Sequence, residues 1–324
     1  MTINTVYILG AGASKDAGGP LVKDFFSRND ASIKTIHEKY FDKDNKYQIL
    51  QSAYNQWSQH EQDPSVESFF NRLEFQKLIG KNVFIDGLGR EVETSTLYRY
   101  LTWYIASMVR NSISYKRNMP SHYATFADKL WKRGIKSSII SFNYDLIIEN
   151  EIKKIGRTIN YHLYATGKNK PFYLNKDGMS FLKLHGSLNW MWCPECGSIS
   201  LKDEPMAQKY NRIRCLVKCG GMKEGLIIPP NINKTPYLES IDNLWKSADN
   251  KLSKANKIVI IGYSLPNSDY AAKELLSEPS RNVDDLVIVS NSKQTAIDVQ
   301  SKLGAWDNCT LFYNGFKEYV NNVM

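Results

Sequence analysis

The sequence predicts an α/β protein in which a parallel sheet carries helices on both faces. The main observation is an alternation in the C-terminal third, where strand-like segments at 257–261, 286–289 and 310–313 are separated by segments with helical spacing. Strands that alternate with helices of ~10–15 residues indicate a parallel sheet. A second observation is that the chain opens on a buried strand, Val6–Leu9, which leads into a glycine-rich turn.

Residues 25–120 interrupt this alternation. Their aromatic and aliphatic side chains recur at helical spacing, which predicts a mostly helical insertion with a hairpin or loop at 83–93. Strand character returns at 135–142 and again at 181–184. We therefore predict that residues 1–324 form a single domain that contains the insertion.

Length and composition are those of a folded globular protein. The 324 residues are 42% hydrophobic and 23% charged, enough to bury a sizeable core. The longest apolar run is far shorter than the ~20 residues that cross a bilayer. The N-terminus has no basic region followed by an apolar one, so no signal peptide is expected. We expect a cytoplasmic protein that does not act at a membrane.

The chain carries a net charge of +9. Such an excess is compatible with a polyanionic partner. The basic residues are scattered in small clusters and form no long run, which favours a solvated surface over a nucleic-acid footprint. We therefore do not expect nucleic acid as a partner, although an anionic small molecule would fit a mildly positive cleft.

Four of the five cysteines lie in one short, otherwise loop-rich window. Cys193 and Cys196 form one pair, and Cys215 and Cys219 form a second pair eighteen residues later. Two such pairs can direct four sulfurs at one point, which is the arrangement that tetrahedral Zn²⁺ requires. Because the set leaves no open ligand position, we predict a structural zinc ribbon, at residues 187–226.

The glycine-rich turn after the first strand reads Gly10-Ala11-Gly12-Ala13-Ser14. A strand followed by Gly-x-Gly fits the phosphate cradle of a Rossmann-like domain, because glycine lets the backbone approach a pyrophosphate and the following helix presents its N-terminus. The full dehydrogenase fingerprint is absent, since Lys15 stands where its third glycine would be. The motif by itself is equally compatible with a plain tight turn.

Polar residues also follow two other predicted strands. Asn143 and Asp145 come after the strand at 135–142, where either of them could simply be a helix N-cap. His185 follows the strand at 181–184 and precedes a glycine. A lone histidine is more often structural, but the carboxyl ends of parallel strands are where open α/β sheets bind ligands.

Taken in order, these motifs resemble those of the sirtuin superfamily. The order is Gly-Ala-Gly-x-Ser, Asn-x-Asp, His-Gly and the two cysteine pairs, followed by Gly262-Tyr263-Ser264-Leu265 and Ser290-Asn291-Ser292, each after a strand. The match covers most of the chain outside residues 25–120. The resemblance implies a Sir2-like domain that binds NAD⁺ as substrate and carries structural Zn²⁺.

The resemblance also implies site residues. It makes Asn143 and Asp145 the groups that orient the nicotinamide ribose and carboxamide, and His185 the general base. It assigns cofactor binding to the residues of three glycine- or serine-rich turns: Gly10, Ala11, Gly12, Ser14, Gly262, Ser264 and Asn291.

Several departures bear on the reaction. The acyl-lysine channel segment of deacylating sirtuins is replaced by Leu226–Pro230, and Phe142 stands at the family's glutamine position. The segment Gly262–Asp269 is similar to the divergent bacterial Sir2-like group, whose members are NAD glycohydrolases in antiphage defence. The resemblance thus implies an NAD⁺ hydrolase (NADase) that forms nicotinamide and ADP-ribose, depletes NAD⁺ on infection, and works as a homo-oligomer or with a companion defence protein.

Two alternatives remain open from the sequence. One is an NAD-dependent lysine deacylase or ADP-ribosyltransferase, in which a group other than water accepts the ribose. The other is a non-catalytic sensor of NAD or ADP-ribose. Product analysis and calorimetry would separate the three hypotheses.

Overall fold

The computed structural model describes most of the chain. The described residues are 4–21, 24–26, 45–62, 64–113, 119–132, 137–163, 178–202, 213–215, 219–229, 235–277, 283–304, 306 and 308–324. Within them, no helix is long and apolar enough to cross a membrane.

The strands belong to three sheets. In chain order they are β1 (Thr5–Leu9), β2 (Val83–Ile85), β3 (Arg90–Val92), β4 (Ser137–Ser141), β5 (Ile159–Asn160), β6 (Met179–Lys183), β7 (Gly186–Trp192), β8 (Ile199–Leu201), β9 (Ile213–Arg214), β10 (Met222–Ile227), β11 (Lys257–Ile261), β12 (Asp285–Val289) and β13 (Cys309–Phe312). The largest sheet has seven strands in the order β13-β12-β11-β1-β4-β6-β5, and every neighbouring pair is parallel. The predicted parallel sheet is therefore confirmed.

The central strands are apolar because both of their faces are covered. All residues of β1 are buried, and β11 is buried from Ile258 to Ile261. A strand buried on both faces reads as a continuous run of β-branched and aliphatic residues, not as an alternation. That is why these runs could be recognised in the sequence.

The strand order reverses beside β1. From β1 the chain continues to β4 and β6 on one side of the sheet, and later fills the other side with β11, β12 and β13. The register aligns the strand ends, because Leu9 pairs with both Ser141 and Ile261, Ser141 with Lys183, and Ile261 with Val289. A crevice outside the carboxyl ends of the strands at such a reversal is the usual ligand site of an open α/β sheet.

Helices flank the large sheet and build the insertion. They are α1 (Lys46–Ser58), α2 (Val66–Leu78), α3 (Thr94–Ser112), α4 (Ser121–Lys132), α5 (Ile147–Lys154), α6 (Thr235–Leu252), α7 (Tyr270–Leu276), α8 (Lys293–Leu303) and α9 (Gly315–Asn322). The α4 helix packs against α5 and α9, and its Phe126 meets the ring of Tyr7 of β1 edge-on at 5.5 Å. Burial of such aromatic rings helps to attach α4 to the sheet.

Helices α1 to α3 and a short hairpin lie within the predicted insertion, residues 25–120. The hairpin pairs β2 with β3 in antiparallel register, so the expected hairpin at 83–93 is present. An aromatic cluster holds the helices together, with Phe26 stacked on Tyr54 at 4.0 Å and on Tyr104 at 5.0 Å. The division of the chain into a domain, an insertion and a ribbon stays a prediction.

A four-stranded antiparallel sheet, in the order β8-β7-β10-β9, carries the cysteine pairs. The sequence predicts loop here, and that prediction is wrong for β7, which is a strand buried along its whole length. Its polar residues Ser187 and Asn189 hide the strand pattern. They tolerate burial because the Ser187 hydroxyl donates to Asn189 Oδ1 at 2.8 Å.

Candidate functional site

A cavity of about 920 Å³ lies at the carboxyl edge of the large sheet. Its walls come from the segments after β1, β4, β6, β11 and β12 and from the helical insertion. All the predicted catalytic and cofactor-binding residues except Gly10 line it: Ala11, Gly12, Ser14, Asn143, Asp145, His185, Gly262, Ser264 and Asn291. The structure thus brings together residues that are up to 280 positions apart in the chain (291 − 11).

The glycines after β1 and β11 let two turns touch backbone to backbone. The Gly12 amide donates to the Gly262 carbonyl at 2.8 Å, and the Gly10 amide donates to the Ile261 carbonyl at 3.0 Å. Gly262 has a φ of 61°, and a Cβ there would lie 2.3 Å from the Ala13 nitrogen. Gly10 therefore lies behind the cavity wall and serves turn packing, which the sequence analysis did not foresee.

The helix that follows the first strand is short. Ala11–Ala17 forms a 3₁₀ helix that ends at Gly18, whose φ is 87°. Gly18, Gly19 and Pro20 stop the helix, because the left-handed glycine closes it and the proline cannot continue it. The turn therefore exposes backbone atoms with small side chains, together with the Ser14 side chain, to the cavity.

Asn143 is held by a directional hydrogen-bond chain. Its Nδ2 donates to the Gly10 carbonyl at 2.8 Å and to Ser14 Oγ at 3.1 Å, while the Ser14 hydroxyl donates to Asp145 Oδ2 at 2.6 Å. An ionised carboxylate only accepts, so Asp145 fixes the direction of the Ser14 hydroxyl and Ser14 in turn fixes the Asn143 amide. Both amide hydrogens are used, which leaves Asn143 Oδ1 as the acceptor available to a ligand hydroxyl.

Asp145 has two tasks in this arrangement. Its Oδ1 accepts from the Ile147 amide at 3.0 Å at the start of α5, although the N-cap residue of that helix is Leu146. Its Oδ2 accepts from Ser14, and the side chain is buried. With both oxygens engaged, Asp145 acts on the cavity mainly through Ser14 and Asn143.

A buried ion pair supports the same loop. Lys183 of β6 is fully buried, and its Nζ lies 2.7 Å from Glu149 Oε1 on α5. The ammonium also donates to the Asp145 carbonyl oxygen. Burial raises the pKa of the Glu149 carboxyl, and the Lys183 charge opposes that rise. The loop that carries Asn143 and Asp145 is thereby tied to both β6 and α5.

His185 has a carboxylate partner that sequence reasoning missed. Its Nε2 lies 2.9 Å from Asp269 Oδ2, and both side chains are buried. The Tyr263 hydroxyl donates to the same oxygen at 2.5 Å. The signal was available only in part, because Asp269 belongs to the segment Gly262–Asp269 but nothing local pairs it with a histidine 84 positions earlier (269 − 185).

Aromatic rings form the walls around the imidazole. Phe142 stacks on Tyr263 at 4.4 Å and meets His185 edge-on at 5.0 Å. The Tyr144 hydroxyl donates to the Ile228 carbonyl at 2.8 Å. Burial raises the pKa of Tyr144 and Tyr263 well above the usual tyrosine range, with Asp269 and Glu67 adding to the rise. Both phenols are therefore neutral at physiological pH.

The other end of the cavity is formed by the segment after β12. Asn291 lines the cavity, and its Oδ1 lies against Gly315, where a Cβ would approach it to 2.2 Å. Ser292 caps α8 by accepting from the Thr295 amide. Ser264 also lines this region. This end presents hydroxyl and amide groups and no carboxylate among the described lining residues.

The helical insertion contributes a wall of the cavity, which the sequence analysis did not predict. Tyr54 of α1, Ile105 and Val109 of α3, and Glu67 of α2 all line it. Glu67 is buried in the first turn of α2, which begins with a capping box between Ser65 and Ser68. No sequence signal distinguishes Glu67, because it lies in an amphipathic helix far from every motif.

The four predicted zinc ligands lie close together. Among the described residues, these four cysteines form a group of histidine, cysteine or acidic side chains that can hold a metal ion. Cys193 and Cys219 have Sγ atoms 3.5 Å apart, Cys196 and Cys215 have Sγ atoms 3.7 Å apart, and all four lie within 4.8 Å of one another. Thiolates ~2.3 Å from one zinc ion would be ~3.8 Å apart at the corners of a tetrahedron. The donor set and its spacing fit Zn²⁺, and none of the four lines the cavity.

Removal of a zinc ligand is expected to destabilise the protein. Cys215→Ser should abolish the binding of one zinc per chain, because three thiolates hold the ion far less tightly, and should lower the thermal midpoint by several degrees. Metal analysis and thermal unfolding measure both effects. Cys309→Ser is the matched control, because Cys309 lies in β13 outside the cluster. Full zinc content in Cys215→Ser would contradict the assignment.

The seven parallel strands, the flanking helices and the cavity at the strand reversal define a Rossmann-like α/β protein. More particularly, the chain shares the fold of Sir2 proteins. A mutant Sir2 homologue in complex with 2′-O-acetyl ADP-ribose matches with a TM-score of 0.51 and 14% identity, over 98% of this chain and 88% of that chain. This likeness agrees with the fold class predicted from the sequence.

Two further solved structures are similar at lower scores. Sir2 bound to an acetylated peptide matches with a TM-score of 0.49 and 18% identity, over 99% of this chain and 91% of that one. A Sir2 homologue in complex with NAD matches with a TM-score of 0.46 and 14% identity, over 98% and 86% of the two chains. No protein-family model and no curated protein sequence matches the chain.

Proposed function

We propose that the protein binds NAD⁺ and hydrolyses the bond between nicotinamide and ribose, releasing nicotinamide and ADP-ribose. The observation that carries the proposal is that Asn143, His185 and the turn after β1 line one cavity. Its volume of about 920 Å³ falls within the ~300–1,000 Å³ of small-molecule sites. The Sir2 homologue with the same fold was solved with 2′-O-acetyl ADP-ribose, which supports a ligand of this class.

The charges around the cavity support a dinucleotide with one cationic end. Lys15 is the single basic side chain of lysine or arginine type among the described residues that line the cavity. It follows the glycine-rich turn that would hold the diphosphate. Glu67 and Asp269 lie near Tyr144 and Tyr263. A carboxylate such as that of Glu67 in a buried site stabilises a cation such as the pyridinium of NAD⁺ or the oxocarbenium ion that forms when nicotinamide leaves.

The reaction requires orientation more than a strong acid, because neutral nicotinamide is a good leaving group. The C–N bond breaks with its electron pair going to the nicotinamide nitrogen, and a water oxygen bonds to the anomeric carbon. Asn143 Oδ1 would hold a ribose hydroxyl, and His185 would accept the proton of the attacking water. Glu67 would face the cation from the insertion. We propose water as acceptor because Leu226–Pro230 replaces the acyl-lysine channel segment of deacylating sirtuins.

Chromatography of reaction products tests the proposal. Wild-type protein incubated with NAD⁺ is expected to form nicotinamide and ADP-ribose in equal amounts, and His185→Ala to form them at least ~100-fold more slowly because the general base is lost. His60→Ala is the matched control, since His60 is exposed and does not line the cavity. Unchanged turnover in His185→Ala would refute the assigned role.

The same assay separates the alternatives. Nicotinamide release that depends on an added acylated peptide would indicate a deacylase, and transfer of ADP-ribose to protein would indicate a transferase. Tight binding of NAD⁺ by calorimetry without any product would indicate a sensor. We propose the hydrolase because water needs no second binding channel.

We further propose that the reaction depletes NAD⁺ in a bacterial cytoplasm as antiphage defence, under control by self-association or by a companion protein. The support is the similarity of the segment Gly262–Asp269 to defence-associated Sir2-like proteins. Reduced cysteines in a metal-binding set are typical of the cytoplasm. Cells expressing wild-type protein should resist phage and lose NAD⁺ on infection, whereas cells expressing Asn143→Ala should do neither. Equal resistance in both strains would reject this role.

A further inference from the structure

Asp269 occupies an unusual position at the end of the loop that follows β11. It directly precedes α7, where an aspartate would ordinarily cap the helix. Its side chain makes no capping hydrogen bond. Instead Asp269 Oδ2 faces His185 Nε2 at 2.9 Å and accepts from the Tyr263 hydroxyl, while the residue is fully buried. A buried carboxylate turned away from its helix start needs another explanation.

We propose that Asp269 is a positioning residue that fixes the tautomer and the ring orientation of His185. The proposal rests on the proposed function, in which His185 is the base, and names the group that prepares it. The nearby residues with roles in the site act on other atoms, since Asp145 serves Ser14 and Ile147. Asp269 is the carboxylate that the described structure places on the imidazole.

The chemistry of the pair determines the tautomer. Asp269 Oδ2 already accepts from the Tyr263 hydroxyl, so in the proposal the same oxygen also accepts, at 2.9 Å, from a His185 Nε2 that carries the proton. The neutral imidazole then has its lone pair on Nδ1, which is the nitrogen that can take up a proton. A buried carboxylate on one imidazole nitrogen orients the ring and also stabilises the imidazolium that forms when the other nitrogen takes a proton.

The surroundings keep the carboxylate in place. Tyr263 donates to the same Oδ2 atom that faces His185, so Asp269 is held from two directions. The Tyr263 ring is in turn stacked on Phe142, which meets the imidazole edge-on. The imidazole, the carboxylate, the phenol and the phenyl ring therefore form one packed unit. A substitution at Asp269 should first alter the tautomer and the orientation of the His185 ring.

Nitrogen NMR of protein labelled in its histidines tests the tautomer directly. The protein has five histidines, and the His185 signals are assigned by their loss in His185→Gln. In zinc-loaded wild type we expect neutral His185 with its proton on Nε2. In Asp269→Asn we expect a mixture of tautomers. The control is Asp242→Asn, which changes an exposed carboxylate on α6 and should give the wild-type signals. A wild-type proton on Nδ1, which needs no variant to detect, would overturn the proposal.

Kinetics provide the second readout. Asp269→Asn is expected to lower kcat for NAD⁺ by at least ~10-fold while KM changes little, because the variant misorients the base without removing a binding group. Unchanged kcat together with an unchanged tautomer would overturn the proposal. If wild type does not cleave NAD⁺ but the tautomer still depends on Asp269, the proposed function fails and the positioning role stands.

Discussion

Asn143→Ala is expected to reduce the cleavage of NAD⁺ by at least ~100-fold while leaving the thermal midpoint almost unchanged. The side chain is partly exposed to the cavity, so its removal creates little buried void. What is lost is the acceptor Oδ1, which the hydrogen bonds to Gly10 and Ser14 hold in one orientation. The measurement is the initial rate of nicotinamide release, with thermal unfolding alongside.

A second substitution tests the direction of the hydrogen-bond chain. Asp145→Asn replaces an obligate acceptor by an amide that can also donate, so the Ser14 hydroxyl loses its fixed direction. Asn143 is then held in a fixed direction only by its hydrogen bond to the Gly10 carbonyl, so its amide is positioned less tightly. We expect a loss of rate that is smaller than in Asn143→Ala but well above that of the control Asn322→Ala, an exposed residue of α9. Full activity in both site variants would contradict the arrangement.

Lys183→Met is expected to have the largest effect on stability. It leaves Glu149 buried without its ion pair and removes the donor to the Asp145 carbonyl. Breaking a buried pair by removing one partner costs about 3–5 kcal/mol, which for a domain of this size lowers the thermal midpoint by roughly 5–10 °C. Thermal and urea unfolding of the zinc-loaded protein measure this loss.

The double variant Lys183→Met/Glu149→Leu should recover much of that stability, because no uncompensated charge remains buried. The matched control is Lys246→Met, whose exposed ion pair with Asp242 on α6 should contribute less than about 1 kcal/mol. A Lys183→Met protein as stable as the control would show that water or a rearranged side chain already compensates Glu149.

The sheet was predictable because its strands carry their own signal. Strand 257–261 occurs at the predicted residues, and β12 differs by one residue from 286–289. Strands buried on both faces are apolar throughout, whatever packs on them. β7 was not predicted because it contains a serine and an asparagine that are buried. Their side chains hydrogen-bond to each other in the folded protein, and the local sequence does not reveal that contact.

The candidate site was predictable to the extent that it lies at strand ends. Asn143, His185 and Asn291 follow strands, and parallel strands bring their carboxyl ends to one edge. Asp269 and Glu67 were missed, because they reach the cavity from a helix start and from the insertion. Their roles depend on which side chain faces which, and that depends on packing.

The sequence by itself determined the parallel sheet, the strand ends that carry polar residues and the four-cysteine set, because each depends on residues close together in the chain. The tertiary structure decided the partners: Asp269 with His185, Ser14 with Asp145, Lys183 with Glu149, and the insertion with the cavity. These contacts join segments separated by long stretches of chain. Hydrogen bonds and ion pairs form between groups a few ångströms apart in space, and the spacing of residues along the sequence does not show which groups meet.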